Sequence, residues 1–148
     1  MNKTLLALLL AFGVSAVQAE GIVGKWKTID DETGKARSIV SISEVNGQYQ
    51  GKIVELMPNV PNKCPGCDGS SKTFGVAKDG PIVGMTILRN LKADGDKYSG
   101  GSVFDPKSGK TYKGSAKLSG DGQKLVLRGY VGVGVLSVGR SQTWQRIE

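Results

Sequence analysis

The chain has 148 residues, a formal net charge of +7, 22 glycines, two cysteines and no histidine. A chain of this length holds one domain, and a hydrophobic share of 39% supplies a core, which excludes wholesale disorder. The missing histidine excludes a Ser-His-Asp triad, a Cys-His dyad and His-ligated zinc or iron. The chain therefore reads as non-enzymatic, with no catalytic residues, no metal and no cofactor.

Residues 1–19 read as a cleaved export signal. Lys3 gives a positive start, Leu5 to Val14 is an apolar run, and Val17-Gln18-Ala19 is a small-residue cleavage pattern. The run is too short to span a bilayer, which takes about 20 apolar residues. Cleavage leaves residues 20–148 as a single mature domain. The expected compartment is the periplasm, with secretion as the alternative.

The positive charge does not read as a nucleic-acid footprint. No two basic residues are adjacent; they stand singly, as at Lys107, Lys110, Lys113 and Lys117. Phosphate recognition wants basic residues clustered on one face. A weak contact with anionic envelope surfaces is the remaining electrostatic expectation.

Along the mature chain, short alternating segments are followed by turn signals, the pattern of an antiparallel sandwich or barrel. Gly24 to Asp30 is a first strand, ended by the polar turn Asp30-Asp31-Glu32-Thr33-Gly34. Ala36 to Val45 and Gln48 to Met57 form a hairpin around Asn46-Gly47, a strong two-residue turn signal. Pro58 to Gly80 differs: it holds three prolines, both cysteines and little periodicity. A connection this long is often functional or tied down. Ile82 to Leu91 is apolar and reads as strand, a short helical turn being the alternative.

Lys97 to Leu118 reads as one hairpin across Asp105-Pro106-Lys107-Ser108-Gly109. Strand alternation puts Tyr98, Gly100, Ser102 and Phe104 on one face, and Tyr112, Gly114, Ala116 and Leu118 on one face of its partner. Gln123 to Val131 and Val135 to Ile147 complete about eight strands. Eight up-and-down strands can close into a barrel, which removes exposed edges. The expected fold is thus all-β, a small antiparallel up-and-down β-barrel.

In the last strand, Leu136, Val138, Arg140, Gln142 and Trp144 share one parity. An inward, buried Arg140 needs a carboxylate or several carbonyls. The candidates are a ligand carboxylate, or an internal partner such as Glu44 or Glu55; a bulge near Gly139 would instead reset the parity.

Cys64-Pro65-Gly66-Cys67 admits three readings. In an exported protein with an even cysteine count, a structural disulfide comes first. Thiol-disulfide activity is second, although no βαβ pattern or convincing helix surrounds the motif. Half of a zinc site is third. Ser71-Lys72 as a Ser-Lys pair, and Asp30, Asp31 and Glu32 as paired carboxylates, are read as loop chemistry rather than catalysis.

The mature chain resembles the bacterial exported family called domain of unknown function 2147 (DUF2147). Its marks here are Gly24-Lys25-Trp26-Lys27-Thr28, Gly51-Lys52-Ile53-Val54 and Pro81-Ile82-Val83-Gly84. Tyr98-Ser99-Gly100-Gly101 and Asp105 to Tyr112 are more specific. Arg128-Gly129-Tyr130-Val131-Gly132 and Gly139-Arg140-Ser141-Gln142-Thr143-Trp144 match best. The resemblance implies a calycin- or lipocalin-like barrel and brings no established reaction. It also implies a Gly-x-Trp on the first strand with a basic residue of the last strand across the indole. Here Gly24 and Trp26 would close the barrel with Arg146, or second with Arg140.

The expected function is binding of a small, partly apolar ligand, hydrophobic or carboxylate-bearing, with Tyr49, Tyr98, Phe104, Tyr112, Arg140 and Trp144 lining the cavity. The alternative is an envelope structural or interaction module using its basic surface or the Pro58–Gly80 loop. A thiol-disulfide or metal role at Cys64 and Cys67 comes third.

Overall fold

A computed structural model describes residues 21–148; the export signal expected at residues 1–19 lies outside the described residues. Eight strands close in sequence order into an antiparallel barrel. They are β1 (Gly24–Ile29), β2 (Ala36–Val45), β3 (Gln48–Leu56), β4 (Thr86–Asp94), β5 (Lys97–Asp105), β6 (Lys110–Leu118), β7 (Lys124–Val131) and β8 (Val138–Arg146). The two short 3-10 turns, Ser71–Thr73 and Gly134–Leu136, both lie in connections. Among the described residues no helix is long and apolar enough to cross a membrane.

Local chemistry sets the pairings. Asn46 and Gly47 both take positive φ, 53° and 78°, as the tightest hairpin turn demands. The β2–β3 ladder then runs from Val45↔Gln48 to Ser38↔Leu56. Closure comes from β1 on β8, with Trp26 opposite Arg146 and Lys27 opposite Gln145. Gly24 permits that seam: a Cβ there would sit 2.2 Å from the Glu148 carbonyl oxygen, in a backbone with φ +139°.

The barrel has two unlike ends. The tight turns β2–β3, β4–β5 and β6–β7 gather at the floor, with the start of β1 and the end of β8. The mouth carries the β1–β2 loop, the Met57–Met85 connection, the β5–β6 turn and the Gly132–Ser137 connection. Trp26, Trp144, Val40, Ile42, Leu88, Leu91 and Leu125 are fully buried in the core. Thr28 and Ser38 add one polar pair, their hydroxyls 2.8 Å apart.

One face assignment on β5 is corrected. Tyr98 pairs with Ala116 and points inward, but the register shifts between Tyr98 and Gly101. An extra residue on one strand reverses the parity beyond it. Gly101 and Val103 then face inward, opposite Gly114 and Tyr112. Ser102 and Phe104 face outward.

Phe104 is nonetheless buried, because the long connection folds over the outer face of β4 and β5. The Phe74 ring meets Phe104 edge to face at 5.2 Å, and the Arg89 guanidinium lies 4.0 Å over Phe74. Side chains within the connection tie it down. The Asn62 carboxamide oxygen accepts from the Ile82 and Val83 amides at 2.8 and 3.0 Å, and Thr73 Oγ1 donates to the Val76 carbonyl at 3.0 Å.

Candidate functional site

The chemistry-bearing side chains divide between floor, outer wall and mouth. At the floor, the Arg146 guanidinium lies 4.4 Å from the Trp26 ring centre. Its Nη1 donates to the Val23 carbonyl at 2.9 Å and its Nε to the Gly122 carbonyl at 2.6 Å. The Trp26 indole donates to the Ile22 carbonyl at 2.9 Å. Burial lowers the Arg146 pKa, offset in part by the nearby Tyr98. Tyr49 and Tyr98 meet edge to face at 5.2 Å beside this cluster. Burial is also the main cause that raises the Tyr98 pKa, with Tyr49 adding to it. These groups plug the floor.

On the outer wall, Cys64 and Cys67 form a disulfide, and both are buried. The Gly66 amide donates to the Pro106 carbonyl at 3.0 Å, and Cys64 Sγ lies 3.3 Å from that oxygen. The Cys64 amide donates to the Gly80 carbonyl at 2.7 Å. The motif thus clamps the long connection to the β5–β6 turn. With both sulfurs bonded to each other, neither is a thiolate available to a metal or a substrate.

The mouth differs chemically from both. Val131 and Val138 are paired across β7 and β8 and share the inward parity of Leu125, Leu127 and Trp144. Yet they are 52% and 73% exposed, so the bore opens to solvent at this level. Tyr112 has the same parity on β6. A hollow of about 380 Å³ sits at this rim, lined by Lys72, Gly109, Lys110, Thr111, Tyr112 and Val131. Its volume falls in the range of small-molecule sites, roughly 300–1,000 Å³. Lys72 comes from the long connection and Lys110 from the start of β6, so two elements bring cations to an apolar rim. A second hollow, about 340 Å³, lies on the outer wall of β2–β4 and is lined by polar side chains such as Gln50, Lys52 and Asn90 with Val45.

Arg140 also belongs to the mouth. The β7–β8 register runs unbroken from Lys124↔Gln145 to Val131↔Val138, so no bulge at Gly139 turns it aside. Its partners are neither Glu44 nor Glu55. Nε donates to Asp31 at 2.9 Å and Nη2 to Glu32 at 3.0 Å, which ties the β1–β2 loop to β8. Hydrogen bonding to Asp31 is the first cause of its raised pKa. Below it, Gln142 reaches Asp31 at 3.5 Å and accepts from the Trp144 indole at 3.0 Å. A polar chain therefore runs from the loop to the core.

Of the six expected cavity residues, Tyr112 and Arg140 stand at the mouth. Tyr49 and Tyr98 are in the floor, Trp144 is buried in the core, and Phe104 lies on the outer wall, turned out by the β5 bulge. Sequence reasoning missed Lys72, Lys110, Val131 and Val138 as rim residues. Their one sequence signal was position, at the strand ends and in the long connection that share the mouth.

A family model described as "Uncharacterized protein conserved in bacteria (DUF2147)" matches residues 24–146. Protein HP1028 from Helicobacter pylori, whose description places it in the lipocalin family, is similar in structure with a TM-score of 0.70. The likeness covers 90% of this chain and 85% of that one at 19% identity, and so speaks for the barrel alone. No curated protein matches the sequence.

Proposed function

We propose that this chain, which belongs to the DUF2147 family of uncharacterized proteins conserved in bacteria, is an exported, non-enzymatic lipocalin-like barrel that binds a small, partly apolar anion at its rim. The observation that carries this reading is the rim hollow, where Lys72 and Lys110 flank Tyr112 and Val131. Apolar surface with a few placed polar groups is the usual make-up of a ligand site, and barrel mouths are common places for one. The cations in this reading are the two lysines, because Arg140 already serves Asp31 and Glu32. A periplasmic location is part of this reading, supported by the export-signal pattern of residues 1–19.

Native mass spectrometry of the protein recovered from the envelope of the bacteria that make it tests this reading. A co-purified organic acid or single-chain lipid is expected, lost in the Lys72→Glu/Lys110→Glu variant. Detection of the ligand-free mass alone, together with no uptake of added long-chain carboxylates, would overturn it.

A further inference from the structure

The connection between β7 and β8 has a composition unlike the rest of the chain. From Gly129 to Gly139 there are eleven residues without a charge, drawn from glycine, valine, leucine, tyrosine and serine, between Arg128 and Arg140. Five of the eleven exposed large apolar residues among the described residues fall between Val131 and Val138. At the tip Val133 is 76% exposed, Val135 101% and Leu136 81%. Apolar side chains grouped this way on a protein surface mark an interaction site.

The base of the tip is cationic. Lys113 Nζ donates to the Gly132 carbonyl at 3.2 Å. Arg128 donates to the Ser137 hydroxyl at 3.3 Å and lies 4.9 Å from the Tyr130 ring centre. The ion pairs among the described residues involve Lys25, Arg37 and Arg140, not these two. Lys113 and Arg128 thus lie at the base of an uncharged apolar tip, with no carboxylate ion-paired to either among the described residues.

We infer that this tip is a docking point for an anionic lipid bilayer, with Val133, Val135 and Leu136 entering the headgroup boundary while Lys113 and Arg128 meet the lipid phosphates. Apolar insertion and attraction between basic side chains and anionic lipids act together at such surfaces. Charge decides against a second copy of the chain, since tip-to-tip contact would bring Lys113 and Arg128 against their own kind. The tip adjoins the rim hollow through Val131. The inference stands without the ligand reading, because it uses different residues.

Co-sedimentation with vesicles tests it, using the chain from residue 20 onward, which contains the whole closed barrel. Vesicles of phosphatidylglycerol and phosphatidylethanolamine should carry the protein down, and high salt should release much of it. The Val135→Asp/Leu136→Asp variant should lose at least tenfold in partitioning with an unchanged melting temperature, since both side chains are exposed. Lys113→Glu should weaken binding without touching the apolar tip. Equal binding to pure phosphatidylcholine vesicles, or full binding by the aspartate variant, would overturn the proposal. So would an absence of vesicle binding, with or without a dimer that the aspartate substitutions abolish.

Discussion

Arg146 and Trp26 face each other across the β1–β8 seam, with the guanidinium 4.4 Å from the indole ring centre and hydrogen-bonded to the Gly122 and Val23 carbonyls. A stacked cation on tryptophan contributes about 0.5–2 kcal/mol, and each hydrogen bond from a charged donor about 1.5–3 kcal/mol. These terms overlap, because one side chain makes them all. Arg146→Ala should lower unfolding stability by about 2–4 kcal/mol in a urea titration. Arg146→Lys should recover only part of this, since a lysine is a compact point charge without the planar fork.

The Cys64–Cys67 bridge should matter locally. Closing a loop of about four residues stabilises by roughly 1.9 kcal/mol on chain-entropy grounds. The Cys64→Ser/Cys67→Ser variant should therefore remain folded. Limited proteolysis should cut it first within Pro58–Gly80, because the clamp to Pro106 through Cys64 and Gly66 is what loosens. Cleavage within the strands first would contradict this role.

Acid stability should carry the mark of Asp30. Its pKa lies below the ordinary value of 3.8, chiefly because its carboxylate accepts the Glu32 amide. A carboxylate lowered on folding adds stability above its unfolded pKa, and that share is lost as pH falls through the folded one. Melting curves from about pH 5 down to pH 2 should show the difference between the native chain and Asp30→Asn closing as the acid is protonated. A constant difference across that range would contradict the assignment.

The barrel was legible because its turns are local. Asn46-Gly47 and Asp105 to Gly109 name their hairpins in sequence, and alternation in Lys110 to Leu118 names the buried face. The β5 bulge was not legible, since Ser99-Gly100-Gly101 gives no sign of which residue is the extra one. Phe104 was therefore assigned to the wrong face. Arg140 was read correctly as sharing parity with Trp144, but its partners stand 108 and 109 residues away in sequence, at Glu32 and Asp31. Only closure of the barrel brings a β1–β2 loop to β8. The same holds for the rim, where Lys72 joins Tyr112 and Val131 through packing of a connection that has no periodicity to read.

In the proposed function, a small, partly apolar anion binds at the mouth of this barrel. Amide chemical-shift mapping with dodecanoate is the decisive measurement. Saturable shifts should centre on Lys72, Lys110, Tyr112 and Val131, with affinity falling about tenfold, or about 1.4 kcal/mol, in Lys72→Glu/Lys110→Glu. Shifts centred on Tyr49 and Tyr98 at the floor, or no saturable shifts at all, would contradict it.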